Sequence, residues 1–438
     1  MKIVTANKNT KVVNFRWRIG FLMFLGIVIN YMDRVNISHA ILVISKEMSL
    51  SPFQQGIILS SFSWGYVLFM IFGGLLIDKF GSRTMNAISA FAWSIFTFAG
   101  TLVSGFFPFL ATRFLLGAGE APIFPGNARV VRAWFPLKER GKATSLFDVG
   151  SYVGSALVAP LVIWLILTVG WRFSFQLFSV IGIVWSIVWY LYYRDPEDHK
   201  FVSKAELNYI NEGVINTQSD TKNISIWTLL KHRQIWGMSL GFFCYNYLKN
   251  FFLTWFPSYL VTERGFTLIK VGIVALIPPF CAIIGELIAG HLTDKMISNG
   301  VNLTLARKLP LCIGMLLSSV IIVAVFTTNP VVAVILLTIS YTSIISASTG
   351  IWAIPGDIAQ NKNQVGRIGA IQNTFSNIAG IVAPIITGYI FGITHSFVIP
   401  LIISGVLAII GAMSYWFIVG ELKPLPDLVI LNKNRAIS

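Results

Sequence analysis

The chain has few cysteines and little charge. Three cysteines, Cys244, Cys281 and Cys312, occur in 438 residues, each inside an apolar stretch. That excludes a disulfide framework, and no Cys/His spacing suited to a metal site is present. Charged residues make up 12 % of the chain. The five histidines are scattered. Neither a nucleophile elbow nor a phosphate-binding loop occurs, so the chain is not read as an enzyme, and no metal or cofactor is expected. The polar stretches, 194–234 and 420–438, are too short for a soluble output domain. This weighs against a membrane sensor. The first apolar run has no small-residue cleavage site behind it, so it is read as a retained helix rather than a signal peptide.

What is abundant is hydrocarbon. The chain is 55 % hydrophobic, and its mean hydropathy is +0.73. Twelve apolar runs are visible, at 19–38, 55–77, 86–104, 107–130, 144–167, 173–193, 235–260, 268–292, 309–327, 331–353, 367–391 and 397–419. Each is long enough to cross a bilayer with some tilt. The expectation is an all-α membrane protein of twelve transmembrane helices, embedded in lipid. The net charge of +15 does not imply nucleic acid, because the bases fall in short loops between apolar runs. Of 33 Lys and Arg, about 26 fall on the side of the N-terminus, and Lys46, Arg172, Arg264 and Lys270 fall on the other. With an even number of spans, both termini are expected in the cytoplasm of a cell whose inner membrane holds the protein. A monomer is expected.

The stretch 194–234 divides the chain into an N-terminal six-helix bundle, 1–193, and a C-terminal one with a short tail, 235–438. The connection is expected to form a short amphipathic helix on the cytoplasmic face. The halves repeat. GLLIDKFGSR follows span two, with Gly74, Asp78, Lys79 and Arg83; GHLTDKMISNG follows span eight, with Gly290, Asp294 and Lys295. The two glycines are 216 residues apart, near half the chain. Parallel halves around a central site are a transporter architecture.

Charge inside the spans marks the candidate site. RFLLGAGEAPIFPGN, in span four, carries Arg113 and Glu120 about two helical turns apart, on one face. Span one carries Tyr31, Asp33, Arg34 and Asn36. A charge at mid-bilayer costs roughly 3 kcal/mol, so each must face a partner, water or a substrate. One reading is a buried ion pair that only locks helices together. The other is a site where a proton and an anion are handled together. Asp33 and Arg34 point about 100° apart on their helix, so each is expected to have its own partner.

These motifs identify a family. The G-x-L-x-D-[RK]-x-G-x-R signature and twelve spans split six and six resemble the major facilitator superfamily. NYMDR, R-x-x-L-G-x-G-E-A-P-x-F-P and TWFPSYL are similar to its anion–cation symporter family, which includes transporters of galactonate, glucarate and hexuronates. The resemblance implies the major facilitator fold, with proton coupling at Asp33 and Glu120, carboxylate binding at Arg34, and gating through Arg113. It also implies that Tyr31, Tyr66 and Asn377 contact a polyol. A latch at the cytoplasmic gate is expected of Asp78, Lys79, Arg83, Asp294 and Lys295. Ser151 stands where sugar-acid members often have glutamine, which shortens a hydrogen-bonding arm. Lys249, midway along span seven, is either a lysine snorkelling to a wet cleft or a second cation for the anion. Asp148 and Glu286 lie nearer helix ends and are read as structural.

The expected function is proton-coupled symport of a small organic anion, a hexonate, hexarate or hexuronate, by alternating access. The coupling ion is the proton. The alternatives are aromatic acids or dicarboxylates carried by the same machinery, and export by anion–proton exchange. The orientation has a direct check. A fluorescent protein fused after Ser438 should light up, and an alkaline phosphatase fused there should stay silent; the reverse pattern would invert the topology.

Overall fold

A computed structural model describes residues 14–212, 226–359 and 362–425, and all regular structure among them is helical. Helix α1 (Arg16–Glu47) is span one, and α2 (Pro52–Ala99) runs through spans two and three. Two helices meet there at a kink, inside the break expected at 78–85, where Gly81 takes φ 77°. Such a dihedral suits glycine, which has no Cβ to clash. Span four is α3 (Phe106–Glu120) followed by α4 (Ile123–Trp134), with Pro122 capping the second piece. Proline cannot donate to the preceding turn, so Pro122 interrupts the ladder two residues beyond Glu120. Then come α5 (Arg140–Thr168) and α6 (Trp171–Tyr192).

The connection holds α7 (Lys204–Ile210) and α8 (Ile226–Leu229), and residues 213–225 between them lie outside the described residues. Span seven is α9 (Arg233–Thr254) with α10 (Phe256–Thr262), and span eight is α11 (Leu268–Val274) with α12 (Ile277–Ser298). Span nine is α13 (Leu303–Ser318) with α14 (Ile321–Phe326), and span ten is α15 (Pro330–Ile358). Span eleven is α16 (Lys362–Thr394). Span twelve is α17 (Val398–Met413), closed by a π-helical turn, Ser414–Ile418.

The chain forms two compact units, one of Met1–Leu50 and Ser61–Ser219, the other of Ser51–Ser60 and Asp220–Ser438. In the first unit, glycines let backbones meet. A Cβ on Gly65 would strike the Phe114 carbonyl, and one on Gly117 the Phe62 carbonyl, so α2 and α3 cross in close contact. Gly150 and Gly154 bring α5 against the Phe24 and Val28 carbonyls of α1. Small residues at such crossings maximise dispersion where lipid offers no hydrophobic drive. A column of rings, Trp93, Trp185, Trp189 and Tyr193, stacks between α2 and α6 with centroids 6.5, 5.2 and 4.7 Å apart. In the second unit, α9 packs on α16 and α17. Gly241 lies against Tyr415, and the Asn246 amide donates to the Ser376 carbonyl at 2.8 Å.

The connection after span six is not a free surface helix. Ser203 caps α7, and Glu206 beneath it is fully buried. Glu206 Oε1 accepts from the Arg16 backbone N–H at 3.1 Å and from its Nη1 at 3.3 Å. Arg16 Nε and Nη2 donate to Glu139 at 2.7 and 3.1 Å, and the Tyr209 hydroxyl donates to Glu139 at 2.8 Å. The hydrogen bond from Arg16, then that from Tyr209, holds the Glu139 carboxyl below its usual range. A carboxyl depressed on folding stabilises the protein above its unfolded pKa, about 4.3, and this stability is lost as pH falls through the folded value. The melting temperature of the purified protein should therefore drop below about pH 4 to 5, and Glu139→Gln should lower it at pH 7 while flattening that acid decline. An unchanged acid limb in the variant would remove the cluster from the account.

Candidate functional site

Four ionisable side chains meet inside the first unit. Asp33 and Glu120 are 0 % exposed and Arg113 3 %. The Arg34 side chain, at 18 % exposure, is the one a solute can reach. The seven-residue spacing puts Arg113 and Glu120 on one face of span four, and the structure pairs Glu120 with Arg34 of span one. Arg34 donates to Glu120 from Nη2 at 2.8 Å and from Nε at 3.2 Å, both to Oε2. Oε1 of the same carboxyl is buried and has no hydrogen-bond partner among the described residues. Helix α3 ends at Glu120, and the Gly65 and Gly117 crossing draws that end into the unit.

Asp33 and Arg34 each find separate partners. Asp33 Oδ2 accepts from Trp93 Nε1 at 3.2 Å, and Oδ1 has no hydrogen-bond partner among the described residues. Arg113 donates from Nη2 to the Arg34 backbone carbonyl at 3.3 Å, while its Nε and Nη1 have no hydrogen-bond partner among the described residues. It thus touches α1 at the junction of the acid and the base.

Three rings surround the Arg34 guanidinium. Phe62, Tyr31 and Tyr66 have centroids 4.4, 4.7 and 5.1 Å from its central carbon. Ring faces favour a cation and keep water thin around it. A buried ion pair recovers little more than its desolvation cost, so it is poor glue and a good exchange point. The arrangement can offer a guanidinium to an incoming carboxylate and leave Glu120 to find a proton.

Phe62 and Trp93 were missed by sequence reasoning. Each is an aromatic among many in an apolar run, and nothing local separates a ring at the site from one facing lipid. Ser151, proposed as a substrate contact, is 9 % exposed, and its hydroxyl donates to the Asp148 carbonyl of its own helix at 2.7 Å.

The remaining candidates lie elsewhere. In the second unit Lys249 is half-buried on α9, with Nζ 6.0 Å from the Tyr245 ring centroid and in no ion pair among the described residues. Asn377 donates to the Asn373 carbonyl of α16 at 2.8 Å. Asp78 and Lys79 are exposed, and Asp78 is in no ion pair among the described residues. Instead Arg129 reaches the Ile77 and Asp78 carbonyls at 2.7 and 3.4 Å. Arg83 donates to the Tyr190 carbonyl at 3.0 Å. Asp294 and Lys295 are exposed, and the nearby ion pair is Arg307–Asp357 at 2.9 Å. Glu286 accepts from the Ser348 hydroxyl at 2.8 Å, holding α12 to α15.

A family model described as Major Facilitator Superfamily matches residues 23–384. The probable galactarate/D-glucarate transporter GarP of Escherichia coli K12 is 38 % identical over 440 residues, covering 97 % of this chain and 99 % of that one. The D-galactonate transporter of Escherichia coli O6:H1 is 34 % identical over 411 residues, covering 92 % and 95 %. Among solved structures, a D-xylose-proton symporter superposes with a TM-score of 0.73 at 16 % identity, covering 93 % of this chain and 99 % of its own.

Proposed function

The chain belongs to the major facilitator superfamily, and on that premise we propose that it imports a sugar acid together with protons by alternating access. Relatives named as galactarate, glucarate and galactonate transporters support the substrate class. The inner membrane, with both termini cytoplasmic, is the location that the distribution of Lys and Arg supports. The observation that carries the proposal is the contest for Arg34. Glu120 occupies that guanidinium through one oxygen, at 2.8 and 3.2 Å. A substrate carboxylate binds the same planar fork and displaces it. A carboxylate left without its cation in a dry interior is stabilised by taking up a proton. Oε1 lies outside the bond to Arg34 and is the oxygen open to that proton.

Asp33 is the second proton carrier in this reading. Its bond to Trp93 fixes Oδ2 and leaves Oδ1 to protonate. Arg113, bonded to the carbonyl between the two sites, transmits the change to α1. Tyr31 and Tyr66 offer hydroxyls to the polyol, and Asn377 an amide. Ser151 is assigned to packing of its own helix. Proton release to the cytoplasm restores the Glu120–Arg34 bond and expels the anion. Asp78, Lys79, Arg83, Asp294 and Lys295 are assigned to the cytoplasmic gate.

Two measurements test this in proteoliposomes with labelled acids. An imposed gradient of one pH unit can drive about tenfold accumulation per coupled proton. Glu120→Gln should reduce the accumulation ratio to near unity while substrate exchange persists, and an unchanged ratio would overturn the coupling. Lys249 is assigned a second anionic group of the substrate, which favours hexarates. Lys249→Met should lower galactarate uptake about tenfold or more and leave galactonate within about twofold. Equal losses for both acids would remove that assignment.

A further inference from the structure

We infer that Asn36 and His39 line a proton path along α1 that ends at Asp33. The inference rests on the proposed proton coupling and adds the route by which the proton arrives. Asp33, Asn36 and His39 follow one another at intervals of three residues, and they are 0, 0 and 4 % exposed. Each has buried polar atoms with no hydrogen-bond partner among the described residues: Asp33 Oδ1, both Asn36 amide atoms, and His39 Nδ1.

The other polar side chains of that segment behave differently. Ser38 and Ser45 close their hydroxyls onto the Val35 and Leu42 carbonyls at 2.8 and 3.1 Å. Around them Val35, Ile37, Ala40, Ile41 and Ile44 are buried and apolar. An amide serving as interhelical glue would show a partner across the helix pair, and Asn36 shows none. Buried polar groups without protein partners are satisfied by water.

The geometry suits a single file of water. Residues three apart on a helix stand about 5 to 6 Å from each other at Cβ. One water bridging two hydrogen bonds of about 2.8 Å spans that distance. An amide supplies a donor and an acceptor without titrating, so Asn36 orients water and holds no charge. An imidazole accepts a proton on one ring nitrogen and releases one from the other. One proton enters, one leaves, and the ring returns to neutral.

Beyond His39, the same helix ends at Lys46 and Glu47. Glu47 is paired with Arg172 at 2.5 Å and accepts from Trp171 Nε1 at 2.7 Å. Helix α5, packed along α1, carries no charged side chain from Ser151 to Thr168, and α6 contributes only Arg172. Arg113 of α3 lies at the inner end, on the Arg34 carbonyl. The route therefore runs from the Glu47 end of α1, which the proposed orientation places outside, to Asp33.

The test compares accumulation driven by a pH gradient with labelled-substrate exchange at equal pH, in the same proteoliposomes. His39→Leu and Asn36→Leu should each slow gradient-driven accumulation about tenfold while exchange at low pH stays within about twofold. Asn36→Ser, which keeps a donor and an acceptor, should restore most of the rate. His39→Gln, which cannot relay by protonation, should remain slow. The polar variants keep the test decisive if a leucine variant fails to fold: a fast His39→Gln or a slow Asn36→Ser overturns the path. Unchanged accumulation in the leucine variants overturns it, and so does a proportional loss of exchange. Failure of the proposed symport would show separately, as absence of gradient-driven accumulation in the unmodified protein.

Discussion

The Arg34 guanidinium is held at lipid depth, where a charge is costly, and Glu120 is its anion. That constraint organises the first bundle. The glycine crossing of α2 on α3 draws the carboxyl to Arg34. Phe62, Tyr31 and Tyr66 turn their rings to the cation. Asp33, one residue away in sequence, is turned instead to Trp93. A pair of this kind adds little to stability, since desolvation offsets most of the Coulomb gain. Its use is that either partner can be exchanged for another of like charge.

The two halves of the chain divide the chemistry unequally. The first unit concentrates the two carboxyls and two guanidiniums in one place. The second carries amides, Asn246, Asn250, Asn373 and Asn377, and Lys249. Neutral amides can follow a polyol without a charge of their own to neutralise. The Asp78 and Asp294 motifs, alike in sequence, both lie exposed, while the ion pair near the second motif is made by Arg307 and Asp357.

Hydropathy and function pull against each other along the chain. Eight helical stretches among the described residues qualify as spans by length and apolarity, or nine if one bent pair is joined. Span four falls short because Pro122 splits it just after Glu120. Span seven falls short because α9 carries Asn246, Lys249 and Asn250. The spans that hydropathy alone scores least well are those that hold ionisable candidates, as expected when polar groups are retained in lipid at a cost.

Much was legible in the sequence because hydrophobicity is a local property. Apolar runs located the spans, loop bases suggested an orientation, and the repeat of Asp78–Lys79 at Asp294–Lys295 marked the halves. Asp33, Arg34, Arg113 and Glu120 stood out because charge inside an apolar run is conspicuous wherever it points. What the sequence could not decide was pairing. The spacing of Arg113 and Glu120 showed a shared face but not their partners, and Glu120 bonds to Arg34, 86 residues away. Arg16 likewise takes Glu206, 190 residues distant, and ties down a segment whose polarity suggested a surface helix. Such choices depend on which helix faces cross and how closely glycines let them approach. Only the assembled bundle sets those distances, because the identity of a partner is a property of three-dimensional packing and not of the order of residues along the chain.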